Sequence, residues 1–379
     1  MTLPIAFHGQ ARRLVASPAF AMMHAADGAC YVIQDAEPYA QFWLSERERL
    51  VFALCGRKGG LAERRVIDTL LAMKPVRDPA AERRRVEAAI ADMRAVGVLT
   101  EPDGELSRYG AEMARGYLEH RPFPRALAAR IVESAGIGAQ SSVLDLASGP
   151  GSLALQLAEV SQHVTVMELS RGFCAAAQAE AARRGLALAA INESCNRLPQ
   201  HDGQYDAITV SQALHWLDPS EVCKGVGRNL APGGSFFVID AAISLPDAHP
   251  LSYILGDRTP LGDKSPVPFG AQSAAKFSRL SHLFKGLGTT IAGADFSLYQ
   301  QSRPIGEGFA RAFLSDTHIA GLGQDHQAFW QNLAERCAAA APADQIGTIE
   351  WAVLHFREGA PDFDPASLDP TVFEAIPFP

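Results

Sequence analysis

At 379 residues the chain is long enough for two or three domains, or for one domain with large additions. Its 47% hydrophobic and 20% charged content is ordinary for a globular protein, and its net charge of −8 argues against a general binder of nucleic acid or anionic membrane. No apolar run reaches the roughly 18 residues of a membrane helix, and Met1-Thr2-Leu3-Pro4 does not begin a secretory signal, so a cytoplasmic protein is expected.

Residues from about 19 to 110 read as a small separate domain. Phe20–His24 and Cys30–Gln34 flank Asp27-Gly28, the signature of a tight hairpin. Ser45 and Glu48 have capping-box spacing, and the helix they open carries Leu50, Val51 and Leu54. A second helix runs through Val66, Leu70 and Leu71. A third, opened by Asp78-Pro79, places Val86, Ile90 and Met93 on one face and stops at Gly97. Val98–Thr100, Pro102-Asp103-Gly104 and Leu106-Ser107 read as strand, turn and strand. Arg83, Arg84 and Arg85 are flanked by Glu82 and Glu87, the pattern of a solvated helix face.

A helical connection spans residues 111 to 140, broken at Arg121-Pro122-Phe123-Pro124. The stretch that organises the chain follows. Val143-Leu144-Asp145-Leu146 reads as a short buried strand. Ala147-Ser148-Gly149-Pro150-Gly151 reads as a tight turn, and Leu153–Ala158 as the start of a helix. Strand, glycine turn and helix bring backbone close to a nucleotide-like ligand, because glycine has no Cβ and tolerates positive φ. A second strand, His163–Met167, ends in Glu168, where an acid can accept hydrogen bonds from ribose hydroxyls.

The spacing Asp145-x-Ala147-x-Gly149-x-Gly151 resembles motif I of the class I S-adenosylmethionine-dependent methyltransferases, with Ala147 in place of the first glycine. A dinucleotide-binding dehydrogenase is disfavoured, since a third glycine is missing and a carboxylate at Asp145 would repel a pyrophosphate. The resemblance continues downstream. Leu230-Ala231-Pro232-Gly233-Gly234 leads into the apolar Ser235–Asp240, as at the family's fifth strand, and Tyr205–Val210 reads as the fourth. Where the family has an acid before that strand, this chain has Ser194 beside Glu193, with Cys195 next. Residues 125 to 242 carry the match.

The resemblance implies a doubly wound, Rossmann-like α/β fold with a seven-stranded sheet, after an N-terminal α+β domain similar to a winged helix. It implies S-adenosyl-L-methionine as cofactor, with Asp145, Ala147, Gly149, Gly151, Glu168, Leu169, Ser194, Cys195, Ser211 and Gln212 around it. His215 follows the fourth strand, facing the transferred methyl group in this fold, and is the candidate general base. Packing beside the cofactor pocket is the alternative for it. Trp216 and Tyr253 are candidate acceptor contacts.

Beyond residue 243, five prolines up to Pro268 suggest an inserted lid over about 243–305. Within it Phe277–Leu287 reads as a helix, with Leu280, Leu283 and Phe284 inward. Thr348–Phe356 reads as the closing antiparallel strand, and the proline-rich 357–379 as an extended tail. The six cysteines are scattered without a C-x-x-C pair, and the histidines lack ligand spacing, so no metal site is expected.

The expected organisation is therefore an N-terminal domain over 1–115 for dimerisation or substrate binding, then a methyltransferase domain over 116–356. The expected activity is methyl transfer to oxygen or nitrogen of a specialised metabolite or short peptide, with no nucleic-acid or membrane partner and a homodimer as the assembly. Two alternatives attach to the N-terminal domain. Its hairpin also resembles small leader-peptide-binding modules, which take a peptide as an added strand. A winged helix is also used on DNA, which would suit a non-catalytic regulator.

Overall fold

A computed structural model describes residues 13–16, 20–24, 30–34, 41–56, 61–73, 78–95, 98–100, 111–245, 249, 268–291, 293–305, 307, 324–341 and 345–378. The chain divides into two compact units, Met1–Ser107 and Arg108–Pro379.

The first unit contains β1 (Arg13–Ala16), β2 (Phe20–His24), β3 (Cys30–Gln34), β4 (Gln41–Leu44), α1 (Glu46–Cys55), β5 (Leu61–Ala62), α2 (Glu63–Met73), α3 (Pro79–Ala95) and β6 (Leu99–Thr100). The hairpin expected around Asp27-Gly28 is β2–β3, and β4 adds a third antiparallel strand. Ser45 and Glu48 form the capping box that opens α1: the Ser45 amide donates to the Glu48 carboxylate and the Glu48 amide to the Ser45 hydroxyl. Val86, Ile90 and Met93 of α3 are buried against Val51, Val66 and Leu99. β6 pairs with β1; the turn and second strand expected over residues 102–107 lie outside the described residues.

The second unit contains α4 (Ala111–His120), α5 (Arg125–Ala135), β7 (Ser142–Leu146), α6 (Ala154–Leu157), β8 (His163–Met167), α7 (Arg171–Arg184), β9 (Leu188–Ile191), β10 (Tyr205–Ser211), α8 (Pro219–Asn229), β11 (Leu230–Ser244), α9 (Phe269–Leu287), β12 (Ala294–Pro304), α10 (Gln324–Ala339), β13 (Ile346–Arg357) and β14 (Glu374–Ala375). Its sheet has the order β14-β12-β13-β11-β10-β7-β8-β9. The strands from β9 to β11 are parallel, and β13 runs antiparallel between β11 and β12. The order reverses at β7, so β7 and β10 flank the crevice in which doubly wound sheets bind ligands.

Strand alternation builds both faces. Val143, Val166, Ala207 and Phe237 point toward α5 and α6, while Leu144, Ile208, Phe236 and Val238 point toward α8 and α9. Within the stretch read as a lid, the described residues are largely core. α9 begins at Phe269, earlier than the expected helix, because Gly270, Ser273 and Ala274 extend the buried stripe of Phe277, Leu280 and Phe284, and β12 is a full member of the sheet. In the tail, β14 pairs in parallel with β12 and Ile376 is buried.

His355 lies buried in β13. Its ring stacks on Phe237 with centroids 4.1 Å apart, and its Nε2 is 2.8 Å from the Ser235 hydroxyl. Burial pushes the imidazole down to about 4 from 6.5; Asp295 pulls it up and Arg357 down by less. Between those values the unfolded chain binds a proton that the folded protein does not, so stability rises with pH across that window. The loss on acidification from pH 6.5 to 4 should be of order 3 kcal/mol. Urea denaturation of His355→Phe, which keeps a stacked ring, should show a flatter pH dependence there than the parent; equal slopes would count against a neutral buried imidazole.

Candidate active site

β7 runs out at Leu146, and the chain reverses over the next few residues with three positive φ angles: +47° at Ala147, +57° at Gly149 and +89° at Gly151. Gly151 is additionally constrained by space, because a Cβ there would stand 3.1 Å from the Ala177 Cβ of α7. Leu153, Ala154 and Leu155 are buried and anchor the exit of the turn. The helix they open is short, only Ala154–Leu157.

Two buried carboxylates support this turn. Glu168, at the tip of β8 and 7% exposed, accepts from the Gly149 amide at 2.9 Å and from the Ser170 amide at 2.8 Å. One side chain thus ties the glycine turn to the start of α7. Asp145, 1% exposed, accepts from the Thr209 hydroxyl at 2.6 Å, which joins β7 to β10. Burial pushes Asp145 up to about 7, the Thr209 and Ala154 hydrogen bonds oppose the rise, and Glu168 adds to it.

Cys195 completes the underside. Its Sγ lies 3.1 Å from the Ala147 amide and donates to the Met167 carbonyl at 3.3 Å. Burial, followed by the nearby Glu168 carboxylate, raises its thiol well above the ordinary range. Ser194, also buried, accepts from the Asn196 amide through its hydroxyl. Leu169 is partly exposed; its carbonyl and that of Glu168 both accept from Asn192 Nδ2.

At the end of β10, Ser211 is partly exposed and Gln212 adopts a left-handed φ of +53°. Its amide donates to the Ile239 carbonyl at 2.7 Å. Left-handed backbone in a non-glycine residue costs on the order of 1 kcal/mol and concentrates at functional sites. A single 3₁₀ turn, Leu214–Trp216, follows, with Trp216 half-buried against the α8 and α9 side of the core. His215 lies on this turn at the carboxyl edge, but its side chain is outside the described residues, as is all of Tyr253.

The sheet therefore gathers Ala147, Gly149, Gly151, Glu168, Leu169, Ser194, Ser211 and Gln212 along one carboxyl edge, with Asp145 and Cys195 beneath it. Several contributors were not anticipated. Thr209 is the one polar side chain within the buried run Ala207–Val210, placed opposite Asp145 by the β7–β10 register. Asn192 is the first polar residue after β9. The Phe173 ring lies 3.9 Å from where a Gly149 Cβ would stand, and α4 covers it with Met113, Ala114 and Tyr117. The spacing of Met113 and Tyr117 is a helical stripe, but only the fold reveals its partner. Among the described residues no group of three or more His, Cys, Asp or Glu could hold a metal, and no helix is long and apolar enough to cross a membrane.

A parallel sheet with this switch point, a glycine turn after its first strand, an acid at the tip of its second and an antiparallel seventh strand define the class I methyltransferase fold. Residues 143–234 match the methyltransferase domain family. The chain is 30% identical over 138 residues to malonyl-[acyl-carrier protein] O-methyltransferase of Pseudescherichia vulneris, covering 36% of this chain and 53% of that protein. It is 30% identical over 166 residues to ubiquinone biosynthesis O-methyltransferase of Yersinia pestis (strain Pestoides F), covering 43% and 66%. It thus spans between about half and two thirds of the length of these relatives. A solved structure of the [4+2]-cyclase SpnF aligns at 22% identity over 62% of this chain and 82% of that one, with a TM-score of 0.37. Residues 143–234 of the chain therefore form a methyltransferase domain of the class I, S-adenosylmethionine-dependent type.

The side chains fit the family's cofactor. A Cβ-free cradle at Gly149 and Gly151 gives backbone access, and the fixed Glu168 carboxylate sits where ribose hydroxyls are held in such folds. Ala147 is the departure from the family pattern, and its φ carries the strain that the usual glycine avoids. Ala147→Gly should raise stability by about 0.5–1 kcal/mol, the left-handed penalty less the extra chain entropy of glycine. A thermal melt checks this; a lower Tm would mean that the alanine methyl makes contacts outweighing the strain.

Proposed function

We propose that the protein transfers a methyl group from S-adenosylmethionine to an oxygen or nitrogen atom of a small specialised metabolite. The observation that carries this reading is the Glu168 carboxylate bonded to the Gly149 amide at the carboxyl edge of the β7–β8 pair. The cofactor supplies an activated methyl on a sulfonium. Gly149, Gly151 and Glu168 hold its nucleoside end, with Leu169, Ser194, Ser211 and Gln212 lining the edge. Asp145 and Cys195 act from beneath, their polar atoms engaged with the Thr209 hydroxyl and with the Ala147 and Met167 backbone. Both curated relatives are named as O-methyltransferases, which favours oxygen as the acceptor atom.

His215 is the base in this reading, carried on the 3₁₀ turn after β10. A neutral imidazole there takes the acceptor proton as oxygen or nitrogen attacks the methyl carbon. Trp216 and Tyr253 contribute to acceptor binding. The N-terminal unit serves dimerisation or substrate binding, and the protein works in the cytoplasm. A peptide acceptor is the second reading, favoured by the three-stranded β2-β3-β4 sheet, whose outer strands offer edges for an added strand. The DNA-binding alternative is disfavoured, because Arg83 and Arg85 are paired with Asp68 and Glu82.

Calorimetric titration with S-adenosylhomocysteine tests the cofactor site. Glu168→Ala should weaken binding at least tenfold, about 1.4 kcal/mol. Glu168→Gln, which still offers an oxygen to the Gly149 amide, should lose less. No binding by the parent protein would remove the enzymatic reading.

A further inference from the structure

The three strands β11, β13 and β12 continue past the carboxyl edge of the parallel sheet. Ser211, the last residue of β10, is level with Ile239, Val353 and Ser297. From that level β12 continues through Ser302, opposite Thr348 and Ser244, to Arg303, opposite Gly347. Six residues separate Ser297 from Arg303, a rise of about 20 Å. The strands form a wall standing above the edge that carries the cofactor turn.

Arg303 lies at the top of this wall and is 8% exposed. Among the described residues it has no carboxylate partner. One Nη donates to the His120 carbonyl at 3.2 Å, its Nε is buried with no acceptor, and its guanidinium lies 5.0 Å from the centre of the Phe378 ring. His120 ends α4, the helix whose Tyr117 packs on Phe173 beside the glycine turn. The charge is therefore held one helical turn from the cover of the cofactor site.

A structural reading makes Arg303 a cap for α4. That task takes one donor of five, and a glutamine amide would perform it without burying a charge. Buried cations are ordinarily paired with an acid, and a guanidinium is the side chain best matched to a planar carboxylate. The other arginines around the same strands are paired in that way: Arg357 with Asp295 at 2.7 Å and Arg130 with Glu374.

We infer that Arg303 is the anchor for a carboxylate on the methyl acceptor, so that the preferred acceptors are carboxylic acids methylated at a distance from that group. This rests on the methyltransferase reading above. A carboxylate entering over the wall meets the guanidinium edge left unused by His120, and its charge completes a pair that Arg303 lacks among the described residues.

The test uses the full-length protein saturated with S-adenosylhomocysteine. Its thermal midpoint is followed in benzoate, in the isosteric neutral benzamide and in inorganic phosphate, at constant ionic strength. Benzoate should raise the midpoint and benzamide should not; a phosphate effect equal to that of benzoate would mean a general anion site and overturn the carboxylate assignment. Arg303→Gln should weaken the benzoate response at least tenfold and Arg303→Lys less, while Arg357→Gln, whose partner is Asp295, should leave it intact. Equal responses to benzoate and benzamide in the parent protein overturn the proposal without any variant. Unchanged benzoate response in Arg303→Gln does the same. Calorimetry of Arg303→Gln with S-adenosylhomocysteine alone separates the sources: undiminished affinity is expected, and a tenfold loss would assign Arg303 to the cofactor's own carboxylate instead. Failure of the parent protein to bind S-adenosylhomocysteine defeats the cofactor reading and is distinct from each of these outcomes.

Discussion

The bond from the Gly149 amide to the Glu168 carboxylate holds the site together. It joins the loop after the first strand to the tip of the second, so the ligand cradle and its sugar anchor become one object. The same carboxylate also takes the Ser170 amide near the start of α7, whose Ala177 fills the space behind Gly151. A charge-assisted hydrogen bond to two amides is stronger than a neutral one, and in a buried setting it resists thermal opening. The cost is a second acid close by. Asp145 is pushed up to about 7 chiefly by burial, with Glu168 contributing. Thr209 partly relieves this by donating to it, which couples the third participating strand to the same network.

The sheet places this network by its handedness and order. Crossovers on opposite sides of β7 leave a crevice at the carboxyl ends of β7 and β10, with α5 and α6 on one face and α8 and α9 on the other. The three strands β11, β13 and β12 have a different role. Each is longer than β7, β8, β9 or β10, and the extra length rises on the ligand side. The tail secures the outer flank: β14 lies on β12, Ile376 donates to the Gln300 carbonyl, and Gln301 reaches the Pro377 carbonyl. A wall made this way is held by continuous ladder hydrogen bonds, so it gives acceptor-facing side chains a firmer footing than a loop would.

Much of this was legible because the signals are local. The glycine spacing, the acid after Met167 and the turn at Gly233-Gly234 each report a backbone requirement of a few neighbouring residues. So do Ser45 with Glu48, and the Val86, Ile90 and Met93 stripe. What escaped is non-local. Thr209 matters only because register sets it against Asp145, 64 positions away, and Asn192 only because β9 ends beside β8. The inward stripe of α9 was legible from Leu280 and Phe284, whereas the full membership of β12 in the sheet depends on its pairing with β13 some fifty positions later. Cys195 could be placed near the site from its position, yet its engagement with the Ala147 and Met167 backbone depends on three segments meeting.

That engagement gives the protein a built-in reporter. Cys55, Cys174, Cys195, Cys223 and Cys337 are all buried, and Cys195 lies directly under the cofactor turn with its thiol held in the unreactive, protonated form. A soluble alkylating reagent can reach it only when the first and second strand tips separate. Its modification rate under native conditions is thus a clock for local opening beneath the cofactor turn, readable by mass spectrometry without any knowledge of the methyl acceptor.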